Sequence, residues 1–179
     1  MKIFLIGFMG SGKTHWGRKL SAKLGLPFFD LDTVIIEQEQ KSVADIFAAK
    51  GEEYFRYLEK ETLERITTEQ ESFILSCGGG TPCFFNNIEF MKKSGKVIWL
   101  NTSIDMLTQR LHRERQTRPL ISDVVTNEDL RRYIVKKLSE RRMYYQQADV
   151  TVGEESTNLD ELIRILLQNE QPDRLKEEL

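Results

Sequence analysis

Apolar residues in this chain follow two alternating rhythms. Short unbroken apolar runs such as Ile3-Phe4-Leu5-Ile6 read as strands buried on both faces. The same signal predicts strands at 27–30, 72–76, 96–100 and 149–152. Between the runs, apolar residues recur at helical spacing. Trp16, Leu20 and Leu24 form one such stripe, with Gly25 as a stop and Pro27 beyond it. Phe55, Leu58, Thr62 and Ile66 form another, as do Leu130, Ile134 and Leu138. Leu159, Leu162, Ile163 and Leu166 form a last one. Ser42 with Asp45 reads as a helix start, and Gly51 as its end. Strands alternating with helices predict an α/β fold, a parallel sheet covered on both faces. No internal repeat is visible, and the polar tail over 168–179, with Pro172, is expected to fray.

Composition narrows the class. A chain of 179 residues with 40% hydrophobic and 30% charged residues suits one soluble globular domain. A net charge of −2 argues against a nucleic-acid surface. Cys77 and Cys83 have neither metal spacing nor the number for a disulfide framework, which fits a reducing cytoplasm. The apolar start runs into Ser11-Gly12-Lys13-Thr14 without a cleavage site, so it is not read as a secretory signal. No apolar run approaches the ~20 residues that span a bilayer.

The chemistry begins between the first strand and first helix. Gly7-Phe8-Met9-Gly10-Ser11-Gly12-Lys13-Thr14 fits G-x-x-x-x-G-K-[ST] at every fixed position. A glycine-rich loop there turns backbone N–H groups toward phosphate oxygens, and the helix N-terminus adds a positive dipole end. Gly10, Ser11 and Gly12 would cradle the phosphates of ATP. Lys13 would reach the β- and γ-phosphates, and the Thr14 hydroxyl would ligate Mg²⁺.

In parallel sheets ligands bind at the carboxyl ends of the strands. After the second strand stand Asp30 and Asp32, two carboxylates suited to a metal with its waters and to a substrate hydroxyl. A helix cap would account for one of them. After the third strand comes Gly78-Gly79-Gly80, where something approaches the backbone closely or a turn precedes Pro82. From spacing alone, Arg56, Arg141, Arg142 and the basic stretch from Arg110 to Arg118 are read as solvated helix-face residues rather than functional ones.

Taken together, these residues resemble the shikimate kinases, over a stretch from Lys2 to about Leu167. The loop wording, Asp30-Leu31-Asp32, the Gly-Glu-x-x-Phe-Arg of Gly51 to Arg56, the triple glycine and Arg118-Pro119-Leu120 follow in family order. The resemblance implies transfer of the γ-phosphoryl of ATP to the 3-hydroxyl of shikimate, a step toward chorismate. It implies a three-layer α/β/α P-loop kinase fold with a five-stranded parallel sheet in order 2-3-1-4-5. Asp32, Arg56, Gly80 and Arg141 match the family's shikimate contacts, with Gly78 and Gly79 alongside. Lys13, Asp32 and Arg118 would be catalytic, Arg118 as a lid arginine reaching the transferring phosphate. Asp30 would serve Mg²⁺ through water, and Arg110 would pack on adenine. The whole chain would be one kinase domain, with a substrate-binding region at about 33–61 and a mobile lid at about 112–125. The expected protein is a cytoplasmic monomer acting on ATP and shikimate.

The chain departs from the pattern in places. Ser76 and Cys77 stand where many P-loop proteins have a Walker-B aspartate. Met143 replaces the proline usual after the substrate arginine, leaving open whether Arg141 or Arg142 faces the substrate. His15 and His112 are expected at the surface, and Cys77 as a small buried filler. A gluconate-type kinase, a nucleoside-monophosphate kinase and a non-catalytic nucleotide-binding module remain as other readings of the phosphate loop.

Overall fold

The computed structural model of the chain describes residues 1–114, 121, 126–153 and 158–168. Arg118 lies outside them, as do most of the lid expected at 112–125 and of the tail expected at 168–179. Five strands, β1 (Lys2–Ile6), β2 (Phe28–Asp30), β3 (Phe73–Ser76), β4 (Lys96–Asn101) and β5 (Val150–Gly153), form one sheet. Its order is β2-β3-β1-β4-β5 and every neighbouring pair is parallel, as expected. The strands fall within one residue of their expected bounds, because each is an apolar run bracketed by polar or turn residues.

Seven helices pack around the sheet among the described residues: α1 (Lys13–Leu24), α2 (Leu31–Glu39), α3 (Val43–Glu69), α4 (Asn87–Ser94), α5 (Ile104–Glu114), α6 (Asn127–Tyr145) and α7 (Leu159–Gln168). The central strand shows why both faces must be covered. Successive side chains of a strand point to opposite faces. Phe4 and Ile6 enter a core with Leu31 and Ile35 of α2, Leu63 of α3 and Met91 of α4. Ile3 and Leu5 enter the opposite core with Leu20 of α1 and Leu162 and Leu166 of α7. All four of these strand residues are fully buried. A third cluster joins Leu107 and Leu111 of α5 to Leu130 and Ile134 of α6, and holds Phe8 of the phosphate loop. The loop therefore rests on packed side chains.

The helix stops behave as their chemistry requires. The backbone N–H of Gly25 caps α1 on the Ser21 carbonyl, in a left-handed conformation with φ of 67°. The Ser42 hydroxyl oxygen accepts from the Asp45 N–H at 3.1 Å and starts α3. Gly51, at φ 84° and ψ 172°, divides α3 into two helical segments that meet at a kink. The short α4 escapes the periodicity because its few turns bury only Asn87, Ile88 and Met91.

Phe73 shows how tightly the first core is filled. Its ring meets those of Phe4 and Phe29 edge-on, at centroid distances of 5.4 and 6.4 Å. Phe73→Ala should lower unfolding free energy by about 3–5 kcal/mol, the usual range for emptying a buried aromatic site. Urea titration measures this, and a loss below about 1 kcal/mol would show that the neighbouring rings can collapse into the space.

Candidate active site

The carboxyl ends of β1, β2 and β3 open onto a cavity of about 520 Å³. Its walls include Gly10, Ser11, Gly12, Lys13, Thr14, Asp30, Asp32, Gly78, Gly79 and Arg110. Residues far apart in the chain thus share one space, as the strand-end rule requires. Gly12 sits at the start of α1 with φ of 94°, a conformation costly for a side-chain-bearing residue. Lys13 donates from Nζ to the carbonyls of Gly7 and Phe8 at 2.9 and 3.0 Å, spanning the loop it belongs to. Arg110 reaches from α5 to donate to the Gly10 carbonyl at 3.1 Å.

The two aspartates occupy different environments. Asp30 caps α2 through a long 3.5 Å contact from the Thr33 N–H, and its Oδ2 accepts from the Thr14 hydroxyl at 2.9 Å. The cap reading therefore holds for Asp30, yet the same carboxylate also meets the phosphate-loop threonine. Asp32 is different. Its Oδ1 is shut away from solvent without a hydrogen-bond partner. Burial, with the negative charges of Glu59 and Asp30, pushes its carboxyl up to about 6, against the pull of Lys13 and Arg56. Asp32 also lines the cavity, and a carboxylate there with an unpartnered oxygen suits a hydroxyl ligand.

Behind the triple glycine lies the second half of the site. Arg56 is only 7% exposed, so the solvated-face reading fails for it. It donates to Glu59 at 2.6 Å and to Glu52 at 2.9 and 3.2 Å. Those three bonds leave two of the five guanidinium N–H groups for another ligand, among the described residues. Glu59 is 1% exposed and also accepts from the Thr81 hydroxyl at 2.5 Å. Burial raises its pKa, while Arg56, Thr81 and Arg141 oppose that rise. A side chain at Gly78 would collide with Glu59, and a Cβ at Gly80 would come 2.7 Å from the Arg56 guanidinium. The glycines make room for these two side chains.

The structure separates the two neighbouring arginines of α6. Arg141 is half-buried, stands over the Phe8 ring at 5.5 Å, and lies beside Gly79. Arg142 and Met143 face solvent. Tyr145 donates to the Gly79 carbonyl at 2.5 Å, fixing α6 to the glycine run. Cys77 is buried and its thiol is pushed far up by desolvation, so it is a filler, and His15 and His112 are exposed.

Sequence reasoning missed Glu59. It lies in the stripe Phe55–Thr62–Ile66, all buried, and a charge inside an apolar stripe was the available signal. Tyr145 left no comparable sign.

Comparisons with known proteins give the family. The family model described as Shikimate kinase matches residues 9–171. The chain belongs to the shikimate kinase family. The curated shikimate kinase of Azobacteroides pseudotrichonymphae is 40% identical over 166 residues, covering 93% of this chain and 97% of that one. That of Parabacteroides distasonis is 41% identical over 154 residues, covering 86% and 88%. Among solved structures, the shikimate kinase of Bacteroides thetaiotaomicron superposes with a TM-score of 0.85 at 35% identity, over 96% of this chain and 99% of that one. The Acinetobacter baumannii shikimate kinase, solved in complex with shikimate, gives 0.82 at 30% identity, over 96% and 95%. Family membership leaves the gluconate-type, nucleoside-monophosphate and non-catalytic readings without support.

Asp32 gives a prediction with a definite sign. Its folded pKa of about 6 lies above the ordinary carboxylate value of 3.8, so the folded state holds the proton more tightly than the unfolded chain. The associated stability is complete below about pH 4 and is lost as pH rises through about 6. The loss approaches about 3 kcal/mol at pH 8. Asp32→Asn should therefore gain stability relative to the wild type as pH rises from 4.5 to 8. A difference in unfolding free energy that stays constant over that range would show that Asp32 titrates normally.

Proposed function

We infer that the protein transfers the γ-phosphoryl group of ATP to the 3-hydroxyl of shikimate, giving shikimate 3-phosphate and ADP on the route to chorismate. The observation that carries this is the meeting of two half-sites. The phosphate loop and the Asp30–Asp32 pair line one cavity, and the Arg56–Glu59 pair stands behind its glycine wall beside Arg141. The relative from Acinetobacter baumannii, with shikimate bound, supports the choice of acceptor.

The residues divide the work by chemistry. Loop N–H groups from Gly10, Ser11 and Gly12 bind the β-phosphate, and Lys13 exchanges its carbonyl partners for phosphate oxygens. Asp32 orients the attacking hydroxyl and receives its proton; a raised pKa suits that task. Arg56 and Arg141 hold the acceptor carboxylate, with Gly78, Gly79 and Gly80 supplying close backbone. The Thr14 hydroxyl and Asp30 carboxylate, 2.9 Å apart, are hard oxygen donors that fit Mg²⁺ with water. When bound, the ion neutralises phosphate charge. Arg110 lies beside the loop, where it can cover the adenine. The family resemblance assigns Arg118, outside the described residues, to the transferring phosphate.

As part of the same proposal, the chain is one kinase domain working as a cytoplasmic monomer. The substrate-binding region is about 33–61 and the lid about 112–125. No helix among the described residues is long and apolar enough to cross a membrane.

ADP release with and without shikimate is the direct test. Release that depends on shikimate is expected, and release unaffected by it would remove shikimate as acceptor. Lys13→Ala should abolish turnover while the circular dichroism spectrum stays native, since the Lys13 amino group donates to loop carbonyls at the cavity wall. Near-normal turnover would take the loop lysine out of the mechanism. Arg141→Ala should weaken shikimate binding by about 2 kcal/mol or more with ATP affinity kept, and Arg142→Ala should not. Calorimetry with each ligand reads both, and the reverse ranking would exchange their roles.

A further inference from the structure

The segment after the triple glycine carries costs that the core does not explain. Phe84 is 37% exposed and Phe85 is 50% exposed. Neither belongs to any of the three apolar clusters. Phe85 and Asn86 adopt φ of 48° and 60°. Asn tolerates that left-handed region, but for a bulky phenylalanine it is strained by about 1–2 kcal/mol. A strained, partly exposed aromatic turn persists only where its surroundings over-determine it.

Those surroundings are specific. Asn87 is 2% exposed and donates from its side chain to the Thr81 carbonyl at 2.9 Å. The Asn87 N–H also bonds the Phe84 carbonyl at 2.9 Å, closing the turn. Thr81, at the other end, donates to Glu59. The fixed turn puts the Phe84 ring 4.7 Å from the Arg56 Cζ, nearer than Phe55 at 5.6 Å or Phe47 at 5.9 Å. Thus one short segment meets Arg56 twice: at its edge through Thr81 and Glu59, and at its face through Phe84.

The face is what the carboxylates cannot fix. Glu52 and Glu59 hold the guanidinium through in-plane N–H groups. No hydrogen bond restrains a planar cation along its normal; an aromatic ring does, and excludes water there as well. We propose that Phe84 is a positioning residue of the acceptor site, its ring holding the Arg56 guanidinium in the plane in which its two remaining N–H groups meet the acceptor carboxylate. The proposal rests on the assignment of Arg56 to the acceptor. It also assigns a purpose to the strained turn, which presents an apolar ring to the Arg56 cation.

The test uses the full chain and three variants, Phe84→Ala, Phe84→Leu and Phe84→Tyr, with shikimate and ATP affinities and steady-state kinetics for each. Phe84→Ala should raise the shikimate Kd and KM about tenfold and leave ATP affinity within twofold. Phe84→Tyr, which keeps the ring, should restore shikimate binding. Phe84→Leu keeps apolar bulk without the ring and should stay weakened; it carries the test if the alanine variant is unstable. In an Arg56→Lys background, the loss from Phe84→Leu should shrink, because the flat cation is gone. Shikimate affinity unchanged in Phe84→Leu, or equal losses for both ligands, would overturn the proposal. The wild type is measured first: absence of shikimate-dependent ADP release would overturn the functional reading and this proposal together. An active wild type with an indifferent Phe84→Leu overturns the proposal alone.

Discussion

Glu59 is buried to 1% exposure in the middle of an apolar helix face, and much of the proposed acceptor site follows from neutralising it. A carboxylate in such a place destabilises the fold by several kcal/mol unless charge and hydrogen bonds compensate it. Arg56 supplies the charge at 2.6 Å and Thr81 the second hydrogen bond. The burial that by itself would lower the Arg56 pKa is outweighed by Glu59 and Glu52 together, so the net shift is upward and Arg56 stays charged. Two consequences reach the cavity. Glycine at 78 and 80 leaves room for these side chains, since a Cβ there would strike Glu59 or Arg56 unless they moved. Asp32 also feels the Glu59 charge, which adds to desolvation in raising its pKa.

The nucleotide half depends on a different constraint. Parallel order β2-β3-β1-β4-β5 sets β1 between β3 and β4, so the loop leaving β1 emerges at the middle of the sheet edge. Phe8 anchors that loop into the α5–α6 cluster, while α1 begins at Gly12 with its dipole aimed back at the loop. The two halves meet at Asp30, the N-cap of α2, and Asp32 in its first turn, with Leu31 between them. Asp30 faces Thr14 of the nucleotide half; Asp32 faces the electrostatic field of Lys13, Glu59 and Arg56. The surroundings of Asp32 alone, chiefly its burial and then the Glu59 charge, raise its pKa.

Much of this is legible in the chain because it is local. Strand runs bounded by turn residues, the Gly25 stop, the Ser42 cap and the phosphate loop all depend on neighbours within a few positions. The broken helix at Gly51 is legible for the same reason. What periodicity alone leaves open is long-range. Arg56 and Arg141 read as surface residues from helical spacing, and only the fold shows one buried between two glutamates and the other against Phe8. Glu59 is a middle case: its position inside an apolar stripe was visible, but its partner Thr81, 22 residues away, was not. The Tyr145 bond to Gly79 spans 66 residues and has no sequence sign.

The central claim is that the buried Glu59 charge organises the proposed acceptor side and leaves ATP binding to the phosphate loop. Glu59→Gln tests it most directly, since the substitution keeps shape and one acceptor oxygen but removes the charge that holds Arg56. Calorimetric titration of the folded variant with shikimate and with ATP is the measurement. The account predicts shikimate affinity reduced by about tenfold or more, on the scale of a broken buried pair, with ATP affinity within twofold of wild type. Unchanged shikimate affinity in a natively folded Glu59→Gln would contradict it.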